Sequence, residues 1–291
     1  MKPTTFNDSS DTFVFDTHIP WPTLTILWWI HGDEIAWIKT VDYLVNHIEN
    51  KVLQLLSWKL ILAYGNQQAM IKKQRQIQHN MNRLFQDKYL KSDSDEYEIQ
   101  RAIELAEILQ ETDYLLDIHS TSSSTEPFIF AEDIWDELEI ANTIFPGKTI
   151  LGWEAMADGS IISWDTNGFV HKHWGTALTL EWGSHLDKST FEVSKEVSLA
   201  LLWYLWMIQS LSEEHAHKWE TYEMYKIQTS KHSDIKFSKR FHNFEQIRGW
   251  DLIYTDWSED IYAEEDFTIL LPNMSPNIKP WQEIFYYGRK V

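Results

Sequence analysis

Apolar residues along the chain fall into short dense blocks separated by stretches of helical spacing. Thr23–Ile30 is such a block, set after Pro20 and Pro22, and its branched and aromatic residues predict a buried strand. Ile35–Asn50 follows, with Ile35, Ile38, Val41, Leu44, Val45 and Ile48 three or four apart, the stripe of an amphipathic helix. Leu60–Tyr64 predicts a second strand closed by Gly65-Asn66. Glu96–Gln110 predicts a helix, and Tyr114–Ile118 a third buried strand. Phe128–Ala131, Thr149–Gly152 and Ala177–Trp182 read as further strands, and Ser189–Leu211 as a long helix. The polar run Lys91–Glu98 is a surface loop leading into a helix. Strands alternating with helices predict an α/β layered sheet.

After about Glu213 the pattern changes. Short apolar stretches, Trp250–Thr255 and Phe267–Leu271 among them, alternate with turn residues at Pro272-Asn273, Ser275-Pro276 and Tyr287-Gly288. Long helical periodicity is gone. The expected division is a main α/β domain over 1–212 and a small β-rich domain over 213–291.

Composition narrows the function classes. A hydrophobic content of 43% in 291 residues is enough for a sizeable core. With 25 Lys and Arg against 44 Asp and Glu, the formal charge is −19. Such a field repels phosphate backbones and anionic membranes, so neither nucleic acid nor a membrane is expected as a partner. An anionic substrate needs a locally basic pocket inside this acidic shell. Cysteine is absent, which excludes disulfides and thiolate metal sites and suits a reducing compartment. Met1–Ser10 lacks the basic and apolar segments of a secretory signal, and Leu24–Ile30 and Leu199–Ile208 are too short to span a bilayer. A cytoplasmic location is expected, with homo-oligomerisation left open.

The candidate chemistry lies in His31-Gly-Asp-Glu34, just past the first apolar run, and in His119 of Leu-Leu-Asp-Ile-His-Ser. Two imidazoles and a carboxylate form a three-ligand zinc set that leaves a fourth position for water. Both halves stand at predicted strand ends, where α/β sheets gather ligands. Asp117, two residues before His119, shares its strand face and suits the orientation of a ligand imidazole. His-x-His pairs at His171/His173 and His215/His217 read more simply as loop or surface residues, with a place in the substrate pocket left open for His171 or His173.

Four segments stand in order: Ile30-His-Gly-Asp-Glu34, Arg75 through Asn82-Arg83-Leu-Phe85, Leu116-Asp-Ile-His119-Ser-Thr, and Leu178-Thr-Leu-Glu181-Trp-Gly-Ser. Together they resemble the succinylglutamate desuccinylase/aspartoacylase family of the zinc carboxypeptidase clan. The resemblance implies a three-layer α/β/α fold with a mixed central sheet and a small β-rich C-terminal domain. It implies one zinc ion per chain on His31, Glu34 and His119, with Glu181 as general base and proton shuttle. It further implies that Arg75 polarises the scissile carbonyl and that Asn82 and Arg83 grip a substrate carboxylate. The chain departs from the family pattern at Asn80, where aspartate is usual, and at Asp33, where asparagine is commoner. The segment between Gly159 and Gly175, with Trp164, His171, His173 and Trp174, is also unlike the family.

The implied activity is zinc-dependent hydrolysis of the amide bond of an N-acyl amino acid or related small, anionic N-acyl amine. The alternatives are a zinc carboxypeptidase acting on a small peptide and a catalytically inactive metal-binding homologue.

Overall fold

The computed structural model describes residues 1–7, 11–19, 22–34, 38–121, 125–157, 164–184, 190–209 and 219–291. The first half builds strands β1 (Thr12–Asp16), β2 (Thr23–Trp28), β3 (Lys59–Tyr64) and β4 (Tyr114–Thr121). Helices α1 (Ile38–Glu49), α2 (Gln67–Lys72), α3 (Asp87–Leu90) and α4 (Tyr97–Gln110) lie between them, with a 3₁₀ turn at Met81–Arg83. Then come β5 (Phe128–Phe130), α5 (Glu137–Ile144), β6 (Lys148–Leu151), α6 (Thr166–Lys172), β7 (Thr176–Ser184) and α7 (Thr190–Tyr204). From Glu220 onward the described chain is strands and turns: β8 (Glu220–Thr229), β9 (Ile235–Phe237), β10 (Glu245–Ile247), β11 (Leu252–Asp256), β12 (Glu259–Tyr262), β13 (Phe267–Leu270) and β14 (Glu283–Lys290).

Eleven strands join one mixed sheet in the order β1-β3-β2-β4-β7-β5-β6-β8-β14-β13-β10, and β12-β11-β9 form a small second sheet. The centre, β3-β2-β4-β7, is parallel, so its strand C-ends share one rim. Side chains of a strand alternate between faces. Thus Leu24, Ile26 and Trp28 of β2 pack with Val41 and Leu44 of α1, Ile140 of α5 and Leu202 of α7. Leu27 of β2, with Ile61 and Leu115 of its neighbours, packs instead with Leu105 and Leu109 of α4 and Phe169 of α6. The sheet is the middle of three layers, buried on both faces. It continues into the C-terminal part through the parallel pairing of β6 with β8, and one apolar cluster joins Phe128 and Ile150 to Tyr222, Phe244 and Tyr286. A further apolar cluster packs Ile253 and Tyr254 of the small sheet against Phe267 of β13 and Phe285 of β14. No helix among the described residues is long and apolar enough to cross a membrane.

The expected strands and the helices at 38–49 and 97–110 are present within a few residues. The expected helical residues 35–37, 189 and 210–211 lie outside the described residues. Two short acidic runs, Ser258–Asp260 and Glu264–Asp266, are exposed. The structure adds β1, α2, α3, α5 and α6, which the apolar pattern does not predict. α2 and α3 are too short to repeat a helical period, and β1 is a sheet edge inside a polar stretch.

Helix α4 carries a buried acid that shapes the site's surroundings. Glu98 accepts the amide N–H groups of Ile77, Gln78 and His79 at 2.5, 2.9 and 3.1 Å, and the side-chain amide of Asn66 at 3.0 Å. Burial pushes its carboxyl up, but these donors outweigh it and hold the group below the usual carboxylate range. The residues between Arg75 and Asn80 are therefore fixed from beneath. Glu98→Ala leaves buried donors unpaired and is expected to destabilise the fold by about 1–3 kcal/mol or more in urea unfolding. Unchanged stability would mean that another contact holds this loop.

Candidate metal centre

The chain turns sharply at the C-end of β2. Trp29 donates its indole N–H to the Glu34 carbonyl at 2.8 Å, and Gly32 N–H bonds the Arg75 carbonyl at 3.2 Å. A Cβ on Gly32 would lie 2.1 Å from the backbone of Ala69, so only glycine lets this turn sit against α2. The turn aims His31 and Glu34 back over the rim, and β4 brings His119 to the same place. His31 Nδ1 lies 2.9 Å and His119 Nδ1 3.5 Å from Glu34 Oε1, while Glu34 Oε2 accepts Ser120 N–H at 3.2 Å. All three residues are buried, with candidate ligand atoms within 4.8 Å of one another.

The far side of each imidazole is also occupied. His119 Nε2 lies 3.1 Å from Asp117 Oδ2, and His31 Nε2 lies 3.1 Å from Asn80 Oδ1. One imidazole thus faces a carboxylate and the other a neutral amide. Asn80 Oδ1 also accepts Asn82 N–H at 3.1 Å. The electrostatics differ accordingly. Burial pushes the His31 pKa down. For His119 burial is outweighed by the carboxylates of Asp117 and Glu34, which raise it well above the ordinary value. Glu34 is held far below the ordinary range by His119 and His31, against its own burial.

Glu181 stands on β7 in direct register with His119. Its Oε2 is enclosed and has no protein partner. Burial, with the charges of Glu34 and Asp117, pushes this carboxyl up to about 8 against the opposing pull of His119 and Arg75. Arg75 is exposed, yet its charge acts on both Glu181 and His31. Asn82 and Arg83 lie in the 3₁₀ turn, where Arg83 donates to the Asn82 carbonyl at 2.7 Å. Burial raises the pKa values of Asp165 and Tyr286, and the charge of Arg83 opposes both shifts. The structure brings His31, Glu34, His119 and Glu181 together on one rim; Arg75 acts on them through its charge, and Asn82 is linked to them through Asn80.

Two imidazoles and one carboxylate suit a divalent cation of borderline softness. Glu34 and Asp117 set carboxyl groups against these imidazoles, and their negative charge suits such a cation. The donor set fits a metal.

The model for the succinylglutamate desuccinylase/aspartoacylase catalytic domain matches residues 20–195. The chain belongs to this family. Its fold is shared with succinylglutamate desuccinylase from Vibrio cholerae, at 18% identity and TM-score 0.77, covering 97% of this chain and 86% of that one. A succinylglutamate desuccinylase/aspartoacylase from Rhodobacter sphaeroides gives 13% and 0.75, covering 96% and 88%. The ectoine utilization protein EutE (DoeB) from Ruegeria pomeroyi gives 15% and 0.73, covering 99% and 92%. No curated protein matches the sequence.

Within this desuccinylase/aspartoacylase fold, His171 has a structural surrounding. From α6 its Nδ1 meets Glu154 at 2.6 Å and its Nε2 meets Glu137 at 2.5 Å. These two carboxylates outweigh burial and raise its pKa to about 10. His173 bonds the Phe169 carbonyl of its own helix. His215 and His217 lie outside the described residues. The apolar pattern misses Thr166, which touches both Asp117 and Asn82. The signal that locates it is Asp165, an N-cap residue accepting Gly168 N–H and opening a helix.

Two outcomes are expected. The stabilisation from the His171 pairing is complete below pH 6.5, where the unfolded imidazole is also charged, and is lost as pH rises through about 10. The stability gap between the parent and His171→Gln should therefore shrink from pH 6 to pH 10 in urea titrations. A gap independent of pH would remove charge from the account. Asn80→Asp gives His31 a carboxylate partner and should tighten zinc binding, by about tenfold or more, in chelator competition. Unchanged affinity would mean that His31 gains nothing from that partner.

Proposed function

We propose that the chain is a zinc-dependent hydrolase that cleaves the linear amide bond of an N-acyl amino acid or a related small N-acyl amine. The supporting observation is the meeting of His31, Glu34 and His119 on one rim, with Glu181 in register beside His119. His31, Glu34 and His119 would hold the zinc. When bound, the metal acidifies water toward neutral pH and stabilises charge on the carbonyl oxygen.

The chain supplies the rest. Glu181 accepts a proton from the attacking water through its carboxylate and returns it to the amine nitrogen as the carbon–nitrogen bond breaks. One water is consumed, and a carboxylate and an amine leave. A carboxyl pushed up to about 8 by burial is suited to both halves of that transfer. Arg75 polarises the scissile carbonyl. Asn82 and Arg83 hold a substrate carboxylate, for which the planar guanidinium offers two parallel hydrogen bonds. These arginines give an anionic substrate a basic entry in a chain of formal charge −19. The cysteine-free composition suits a cytoplasmic setting.

The direct test is hydrolysis of N-acetyl, N-succinyl and other N-acyl amino acids by zinc-loaded protein. Release of free amino acid from one acyl class is expected; inactivity of folded, loaded protein toward every class would overturn the proposal. Glu181→Gln should keep its zinc and lose about 10²–10⁴-fold in rate, with near-parental turnover excluding the proton role. Arg83→Lys should raise KM far more than it lowers kcat, and an unchanged KM would exclude carboxylate recognition by Arg83.

A further inference from the structure

Thr166 is the first residue of α6 and is buried. Its hydroxyl donates to Asp117 Oδ2 at 2.5 Å, the oxygen that lies 3.1 Å from His119 Nε2. Its backbone N–H bonds Asn82 Oδ1 at 3.3 Å. Asn82 in turn donates its N–H to Asn80, the partner of His31 Nε2. One residue therefore joins the supports of both imidazoles. We propose that Thr166 is a positioning residue: it fixes Asp117 behind His119 and ties the 3₁₀ turn of Asn82-Arg83 to the metal centre. The proposal rests on the zinc reading above.

Without the hydroxyl, Asp117 loses the donor that holds its Oδ2 toward His119. Loss of such an outer contact typically costs about 10–100-fold in metal affinity. Thr166→Val keeps the shape and removes only the donor. The test is the zinc dissociation constant by competition with a chromophoric chelator, for the parent, Thr166→Val and Thr166→Ser, with unfolding midpoints measured alongside. The expected result is zinc binding about 10–100-fold weaker in the valine variant and restored in the serine variant. Equal affinity in parent and valine variant, or serine binding as weakly as valine, would overturn the positioning role while leaving the zinc site intact. A parent that binds no zinc would instead overturn the zinc reading and this proposal with it.

A different observation carries a second inference. Among the described residues, eight of the 14 non-glycine residues at positive φ are tryptophan: Trp29, Trp58, Trp135, Trp174, Trp206, Trp250, Trp257 and Trp281. A Cβ disfavours that conformation, and for a bulky residue it is an outlier. The local hydrogen bonds show which residue each place suits. After α6, Trp174 N–H bonds His171 and Gly175 N–H bonds Val170. After α7, Trp206 N–H bonds Trp203 and Met207 N–H bonds Leu202. Both are Schellman closures, whose left-handed residue is usually glycine. Pro280-Trp281 occupies the centre of a turn closed by Gln282 N–H to the Lys279 carbonyl, where a type II turn takes Pro-Gly. Trp250 has the same place in the turn closed by Asp251 N–H to Arg248. Trp257 is the first of two residues linking β11 to β12, the glycine position of a type II′ hairpin. These five tryptophans are 69–86% exposed, so packing does not account for them.

We infer that these are glycine positions and that the ribosome of the source cell places glycine there. The codon UGA is read as tryptophan in some genetic codes and as glycine in others, which supplies a route. The test is peptide sequencing by mass spectrometry on protein purified from its native cells. Glycine at positions 174, 206, 250, 257 and 281 is expected, and tryptophan at any of them would overturn the inference.

Discussion

The parallel register of β2, β4 and β7 is the constraint on which the site depends. Parallel strands deliver their C-ends to one rim, and the register sets His119 beside Glu181. His31 and Glu34 reach that rim because β2 ends in a turn that only glycine can press against α2. A one-residue slip of β4 would carry His119 and Asp117 together to the opposite face. The apolar side chains that hold the register face both layers of helices, so the core and the site are fixed by the same pairing.

Around the rim, the surrounding contacts are unequal. His119 has a carboxylate behind it, locked by a threonine hydroxyl, whereas His31 has an amide that serves two donors. Glu98 holds the loop before Asn80 from α4, a helix in the same layer as α6. The site is therefore supported from α4 and α6 as well as from the sheet, and Thr166 joins the supports of both imidazoles.

Much of this is legible in the amino-acid order. The apolar blocks at 23–30, 60–64, 114–118 and 177–182 are strands because each is buried on two faces and reads as a continuous run. His31, Glu34 and His119 are visible because they follow those runs, whereas Glu181, inside the last of them, is marked only by the family resemblance. Arg75, Asn82 and Arg83 are visible only through family resemblance, since they lie in a loop and a single turn without periodicity. Thr166 and Glu98 leave no comparable mark: their importance comes from partners 49 and about 20 residues away, which only folding brings near. His171 illustrates the reverse. It sits two residues from another histidine, yet it meets Glu137 and Glu154 and holds α6 to its neighbours.

His31 and Glu34, three residues apart, and the distant His119 would share one cation. X-ray absorption at the zinc edge of the loaded protein should then show two imidazole nitrogens at about 2.0–2.1 Å with oxygen donors completing the shell, and that signal should be lost when His31 and His119 are both replaced by alanine. A shell without imidazole scattering, or an unchanged spectrum in the double variant, would contradict this shared site.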